Sequence, residues 1–121
     1  MALLVEDETL VAMVSEDSLR ALGFEAICVE TAAGALSALK DGAHEVALAV
    51  IDIGLPDMRG DDLIARIRET LPGLPIVMAS GYDAAALRLR FAGDPALASL
   101  GKPYSEYDLK QAIASLGLTT E

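Results

Sequence analysis

The chain has 121 residues, 53% of them hydrophobic, which is enough for one packed domain. Its 19 acidic against 9 basic residues leave a formal net charge of -10, a surface that nucleic-acid backbone and anionic membrane both repel, so proteins and cations are the expected partners. The single cysteine, Cys28, excludes an internal disulfide and suits a reducing, cytoplasmic compartment.

The start Met1-Ala2-Leu3-Leu4-Val5 runs at once into acidic residues, so neither a signal peptide nor a membrane span is expected and the chain reads as soluble. Ala2 to Val5 forms a first strand. From about Thr9 to Leu22 the apolar residues Leu10, Met13, Val14, Leu19 and Leu22 recur at helical spacing, and Gly23 stops that helix. Glu25 to Val29 reads as a second strand, and Thr31 caps a helix carrying Leu36 and Leu39 that Gly42 closes. The third strand is Val46 to Ile51, apolar throughout as a central strand covered on both faces must be. After a turn around Pro56 and Gly60, Leu63, Ile64 and Ile67 form one stripe of a helix that ends before Pro72. Pro75 to Ala79 is a fourth strand, Asp83 to Ala92 a helix broken by Gly93-Asp94-Pro95, and Ala98 to Leu100 a short fifth strand. Ser105 caps a last helix running to Leu116, with Asp108 in its first turn and Gly117 at its end. Alternating strands and helices predict an α/β chain built on a parallel sheet. It reads as one domain over residues 1–121, with no linker, internal repeat or output domain.

In an open parallel sheet, ligands bind beyond the carboxyl ends of the strands. The residues at those ends are Glu6 and Asp7 after the first strand, Asp52 after the third, Ser80 after the fourth and Lys102 after the fifth. Crowded carboxylates need a cation to stay ionised, and oxygen donors without paired histidines or cysteines point to magnesium, for which manganese can substitute. With charge so neutralised, Asp52 can act as a nucleophile toward phosphorus, while Ser80 donates to an equatorial oxygen. Each feature alone has an ordinary explanation: loop carboxylates are usually solvated, Asp52 could cap a helix, Ser80-Gly81 could be a plain turn and Lys102 a surface lysine. The only histidine, His44, reads as a surface residue, and Cys28 as a small core residue. Arg88 and Arg90 with Leu87, Leu89 and Phe91 form either a partner face or a helix that simply buries its apolar side.

Together, Val5-Glu6-Asp7-Glu8, Ile51-Asp52-Ile53-Gly54-Leu55-Pro56-Asp57-Met58-Arg59-Gly60, Ala79-Ser80-Gly81-Tyr82 and Gly101-Lys102-Pro103-Tyr104 resemble the receiver domain of two-component response regulators, in order and strand context, over essentially the whole chain. The resemblance implies a flavodoxin-like (βα)5 fold, a doubly wound five-stranded sheet of order 2-1-3-4-5. It also implies that Asp52 takes a phosphoryl group from a phosphohistidine on a sensor histidine kinase or phosphotransfer protein. Asp7, Asp52 and the Gly54 carbonyl would hold Mg2+, with Glu6 acting through water; Ser80 and Lys102 would meet the phosphoryl group, and the Lys102-Pro103 bond would be cis. The chain would be a monomer or weak homodimer that catalyses only its own phosphorylation and dephosphorylation. Two departures stand out. The aromatic residue that such domains usually carry three positions before the lysine is here Ser99, so Tyr82 is the expected substitute in the switch. Gly54 has no side chain to guide a hydrolytic water, which implies slow loss of phosphate. Two other functions fit less well: a receiver-like module that binds proteins without phosphorylation, and a Mg-dependent phosphatase with an aspartyl nucleophile, whose usual second aspartate two residues on is replaced by Gly54.

Overall fold

A computed structural model of the chain describes residues 1–81 and 84–120. Its elements in chain order are β1 (Ala2–Val5), α1 (Thr9–Ala21), β2 (Ala26–Val29), α2 (Ala32–Gly42), a 3-10 turn (Ala43–Glu45), β3 (Leu48–Asp52), α3 (Gly60–Thr70), β4 (Ile76–Ser80), α4 (Ala84–Arg90), β5 (Leu97–Gly101) and α5 (Glu106–Ser115). The five strands are all parallel, in the order β2-β1-β3-β4-β5.

Strand side chains alternate between the two faces of the sheet, and this period divides the apolar residues into two cores. Ala2, Leu4, Leu48, Val50 and Val77 pack with Leu19 of α1 and Leu109 and Ile113 of α5 on one face. Leu3, Val5, Ala49, Ile51, Ile76 and Met78 pack with Leu39 of α2, Leu63, Ile64 and Ile67 of α3 and Leu87 of α4 on the other. The sheet is therefore doubly wound, and the chain leaves β1 and β3 on opposite faces. That divergence opens a crevice at their carboxyl ends.

Local chemistry sets the helix starts. Thr31 caps α2 by accepting from Gly34 N–H at 2.9 Å. Ser105 and Asp108 form a reciprocal capping box on α5, each side chain taking the other's backbone N–H. Strand β3 begins at Leu48 rather than Val46, because its partner β1 begins at Ala2, whose register mate is Leu48, while Val46 N–H closes the preceding 3-10 turn on Ala43. Helix α1 forms as its spacing predicts, and the structure decides which of its rows is buried. Leu10, Met13 and Val14 are not part of the buried stripe: they are 78%, 57% and 65% exposed, and the helix instead turns Ser15 and Leu19 inward. Two apolar rows run along this helix at helical spacing, and periodicity alone does not say which faces the sheet. Ser15 can be buried because its hydroxyl shares a 2.7 Å hydrogen bond with the Tyr104 hydroxyl.

Candidate functional site

The carboxyl ends of β1, β3, β4 and β5 meet in one cleft. Asp52 and Ser80 are the last residues of β3 and β4, Glu6 follows β1 directly, and Lys102 follows β5. Carboxylate oxygens of Glu6, Asp7 and Asp52 lie within 4.8 Å of one another, Asp7 being the least buried of the three. The Lys102 ammonium bridges two of them, donating to Glu6 Oε1 at 3.0 Å and Asp52 Oδ1 at 3.2 Å. Burial pushes the Glu6 carboxyl above its ordinary range, Asp52 adds to that push, and the hydrogen bonds from Lys102 and the Glu8 N–H oppose it. Burial works against the Lys102 ammonium too, but its bonds to Glu6 and Asp52 win and hold it above the usual lysine value. Lys102 is therefore a fixed positive charge. The donor set fits a hard divalent cation, since it supplies carboxylate oxygens and no nitrogen or sulfur ligand. Beside it, the buried Ser80 hydroxyl has no hydrogen-bond partner among the described residues. A buried hydroxyl left in that condition is costly, and it is poised to bond an oxygen brought into the cleft.

The loop from Asp52 to α3 is folded back on itself. Gly60 N–H bonds to Ile53 C=O at 2.8 Å, and a β-carbon at Gly60 would collide with the Asp52 carbonyl oxygen and come 2.7 Å from Ile53 Cα. Only glycine allows that approach. The tip of the loop is pinned by Asp57, whose carboxylate accepts from Ala32 N–H at 2.9 Å and Ala33 N–H at 3.0 Å at the start of α2. Those two bonds hold the Asp57 carboxyl below its ordinary value. A β-carbon at Gly54 would sit 3.7 Å from Asp52 Oδ2, so the Gly54 backbone lies against the carboxylate. The cleft, about 410 Å³, is lined by Glu8, Asp52, Gly54, Arg59, Ser80 and Lys102, among others.

Across residues 2–114 the chain matches the family model described as the response regulator receiver domain. It belongs to that family. It is 29% identical over 114 residues to the sensor kinase CckA of Brucella abortus, covering 94% of this chain and 12% of that one. With the response regulator protein FleR of Pseudomonas aeruginosa it shares 30% over 112 residues, 93% of this chain and 23% of the other. The chain thus spans well under half of these relatives. Among solved structures, it superposes on a CheY-like receiver domain from Methanospirillum hungatei with a TM-score of 0.80 at 28% identity, covering 93% of this chain and 89% of that one. A receiver domain of a LuxO repressor protein from Vibrio parahaemolyticus gives 0.83 at 26%, covering 96% and 88%. Receiver domains are signalling modules of phosphorelays, and as a family they bind Mg2+ and interact with sensor histidine kinases and downstream effectors.

In this receiver the structure brings Glu6, Asp7, Asp52, Gly54, Ser80 and Lys102 together. The Lys102–Pro103 peptide is cis. Ser99 lies mid-strand in β5, in register with Met78 and away from the cleft lining. Tyr82, the expected substitute in the switch, and Asp83, the expected first residue of the fourth helix, lie outside the described residues. His44 is well exposed in the 3-10 turn. Cys28 is half-buried on edge strand β2 rather than fully inside, since only one neighbouring strand and α1 cover it. Burial raises its thiol, and the carboxylates of Glu16, Glu30 and Glu6 raise it further, so it stays protonated and unreactive at neutral pH. The pair Arg88 and Arg90 divides: Arg88 is exposed, whereas Arg90 is committed within the chain to Asp61 Oδ2 at 2.5 Å and Asp62 Oδ1 at 2.9 Å. What the sequence did not reveal is Arg59 in the cleft lining. The available signal was the paired Pro56 and Gly60, which turn the loop back to Asp52 and carry Arg59 with it. No helix among the described residues is long and apolar enough to cross a membrane.

Proposed function

We propose that Asp52 is the phosphoacceptor of this receiver and that a phosphohistidine on a sensor histidine kinase or phosphotransfer protein is its donor. The observation that carries this reading is the pairing of Asp52 with the fixed Lys102 ammonium beside the Ser80 hydroxyl, which has no partner among the described residues. An Asp52 carboxylate oxygen attacks phosphorus, the phosphorus–nitrogen bond breaks, and the imidazole leaves with the electron pair. Lys102 holds the carboxylate in place and then takes the negative charge of the transferred group. The Ser80 hydroxyl donates a hydrogen bond to a phosphoryl oxygen, which gives it the partner it lacks among the described residues. Glu6, Asp7, Asp52 and the Gly54 carbonyl would hold Mg2+, which supplies charge neutralisation of the in-line transfer. The chemistry is confined to the receiver's own aspartyl phosphate, formed and lost on the same residue. Leu10, Met13 and Val14 offer an exposed apolar face beside a groove shared with Lys102, Pro103 and Tyr104, which suits docking of the donor protein next to the cleft. The acidic surface and free Cys28 suit work in the cytoplasm, in a monomer or weak homodimer.

Intact mass after incubation with acetyl phosphate and Mg2+ tests this directly. The wild type is expected to gain one phosphoryl group, and Asp52→Asn and a chelator-treated sample none. With Gly54 beside the acceptor, the added mass should outlast a few seconds. No gain from either acetyl phosphate or a phosphorylated histidine protein would leave a phosphorylation-independent binding module as the better reading.

A further inference from the structure

Arg59 occupies an unusual place for a cation. It stands at the N-cap of α3, beside the Gly60 that abuts the Asp52 backbone, and it lines the same cleft as Asp52, Ser80 and Lys102. Among the described residues its guanidinium is held by one neighbour, donating from Nε to Asp61 Oδ1 at 3.0 Å. Asp61 is 5% exposed and serves a second guanidinium through its other oxygen, that of Arg90 at the end of α4. Arg90 is also bound to Asp62, one residue further along α3. A continuous chain of ion pairs therefore runs from the cleft to α4 through Arg59, Asp61 and Arg90, and returns to α3 at Asp62.

A phosphoryl group on Asp52 would bring up to two negative charges and three acceptor oxygens into that cleft. Arg59 is exposed over more than half of its side chain, so it can turn without leaving a buried cavity. The planar fork of a guanidinium fits phosphoryl oxygens well. Asp61 and the phosphoryl group would then compete for one cation, and the more highly charged group has the advantage. We propose that Arg59 is a second phosphoryl-binding cation of this receiver, and that its move from Asp61 to the phosphoryl group passes the signal to α4 through Arg90. Once Arg59 has left, the buried Asp61 carboxylate keeps Arg90 as its sole guanidinium partner, and the balance of Arg90 between Asp61 and Asp62 shifts. This is a differential interaction with two arrangements of the same residues, which is what a switch requires. The route does not use the β5 position held by Ser99, and the inference rests on Asp52 being the phosphoacceptor.

The test follows hydrogen exchange over residues 84–90 before and after addition of Mg2+ with beryllofluoride, a tetrahedral mimic of the phosphoryl group, at matched occupancy. Alongside it, the rate of loading from acetyl phosphate is measured. In the wild type the exchange of α4 changes on loading. In Arg59→Ala that change is lost, and loading slows by about three- to tenfold, the effect of removing one partly screened charge. Arg90→Ala keeps the wild-type loading rate while its α4 already exchanges differently before loading and responds no further. Should Arg59→Ala unfold, Arg59→Gln keeps a polar side chain with two N–H donors and no charge, and carries the same expectation. An α4 response in Arg59→Ala or Arg59→Gln equal to the wild type overturns the inference, as does a wild type that loads without any α4 response. A wild type that never loads at Asp52 overturns the phosphoacceptor reading, and this inference with it.

Discussion

The two sides of the cleft are built to different standards. On the β3 side every residue of the strand is buried, the following loop is closed by Gly60 and tied to α2 by Asp57, and α3 buries Leu63, Ile64 and Ile67. On the far side, β5 is an edge strand with no fully buried residue, and Leu87 is the one buried side chain among the described residues of α4. The Asp52 carboxylate thus sits on the over-determined side, and α4, tied to α3 by the ion pairs of Arg90 with Asp61 and Asp62, sits on the side with few apolar contacts. Segments with few buried contacts open at the lowest free-energy cost, so the difference separates a part that must hold still from a part that can move.

The most severe way to break this arrangement is Gly60→Ala. The added carbon meets backbone atoms of Asp52 and Ile53, which have no flexible tip to yield, so a loss of about 4 kcal/mol or more is expected by urea denaturation. A variant with wild-type stability would show that the loop is not fixed. Next, the same truncation on each side sharpens the contrast. Leu63→Ala should cost about 4 kcal/mol and Leu87→Ala about 2 kcal/mol, because the surroundings of Leu87 can relax around the gap. Equal losses in thermal or chemical unfolding would abolish the distinction.

How far the sequence reveals this design depends on the kind of residue. Strands written as unbroken apolar runs, such as Leu48 to Ile51, could be located from composition, and the residues at their carboxyl ends converge because a parallel sheet aligns those ends. The caps at Thr31 and Ser105 were legible for the same reason: their chemistry is local. The Asp61–Arg90 pair spans 29 residues and two helices, and no local pattern announces it. The inward face of α1 is not legible from periodicity, because Leu10, Met13 and Val14 obey the helical period as well as the buried row does. Burial of Ser15 depends on Tyr104, 89 residues away.

Smaller effects refine the comparison within the cleft itself. Ser80→Ala removes a buried hydroxyl that lacks a partner among the described residues, so the resting receiver should gain stability of about 1 kcal/mol, while its response to phosphorylation weakens. A melting temperature below that of the wild type would count against this account of Ser80. The mildest change is Asp57→Asn. Because the folded Asp57 carboxyl lies below the ordinary aspartate value of 3.8, its contribution is present above that pH and disappears as pH falls through the lower folded value. Asp57→Asn should therefore melt below the wild type at pH 6, with the gap closing at acid pH. A gap unchanged across that range would mean that the carboxylate charge is not what pins the loop.

Arg68 closes the opposite end of the sheet. It donates to Asp94 through Nε at 2.7 Å and Nη2 at 3.4 Å, and to the carbonyl oxygens of Leu71, Leu74 and Ala96 at 3.0, 2.7 and 3.1 Å. A guanidinium has five N–H donors, and here each has an acceptor. A lysine in its place would offer three and strand some of those carbonyls. With its donors used up, this arginine has nothing to offer an anion despite its charge. The molecule is in that sense one-ended: at the starts of β4 and β5 its own chain uses up the donors of Arg68, whereas at the carboxyl end of β4 the Ser80 hydroxyl has no partner among the described residues.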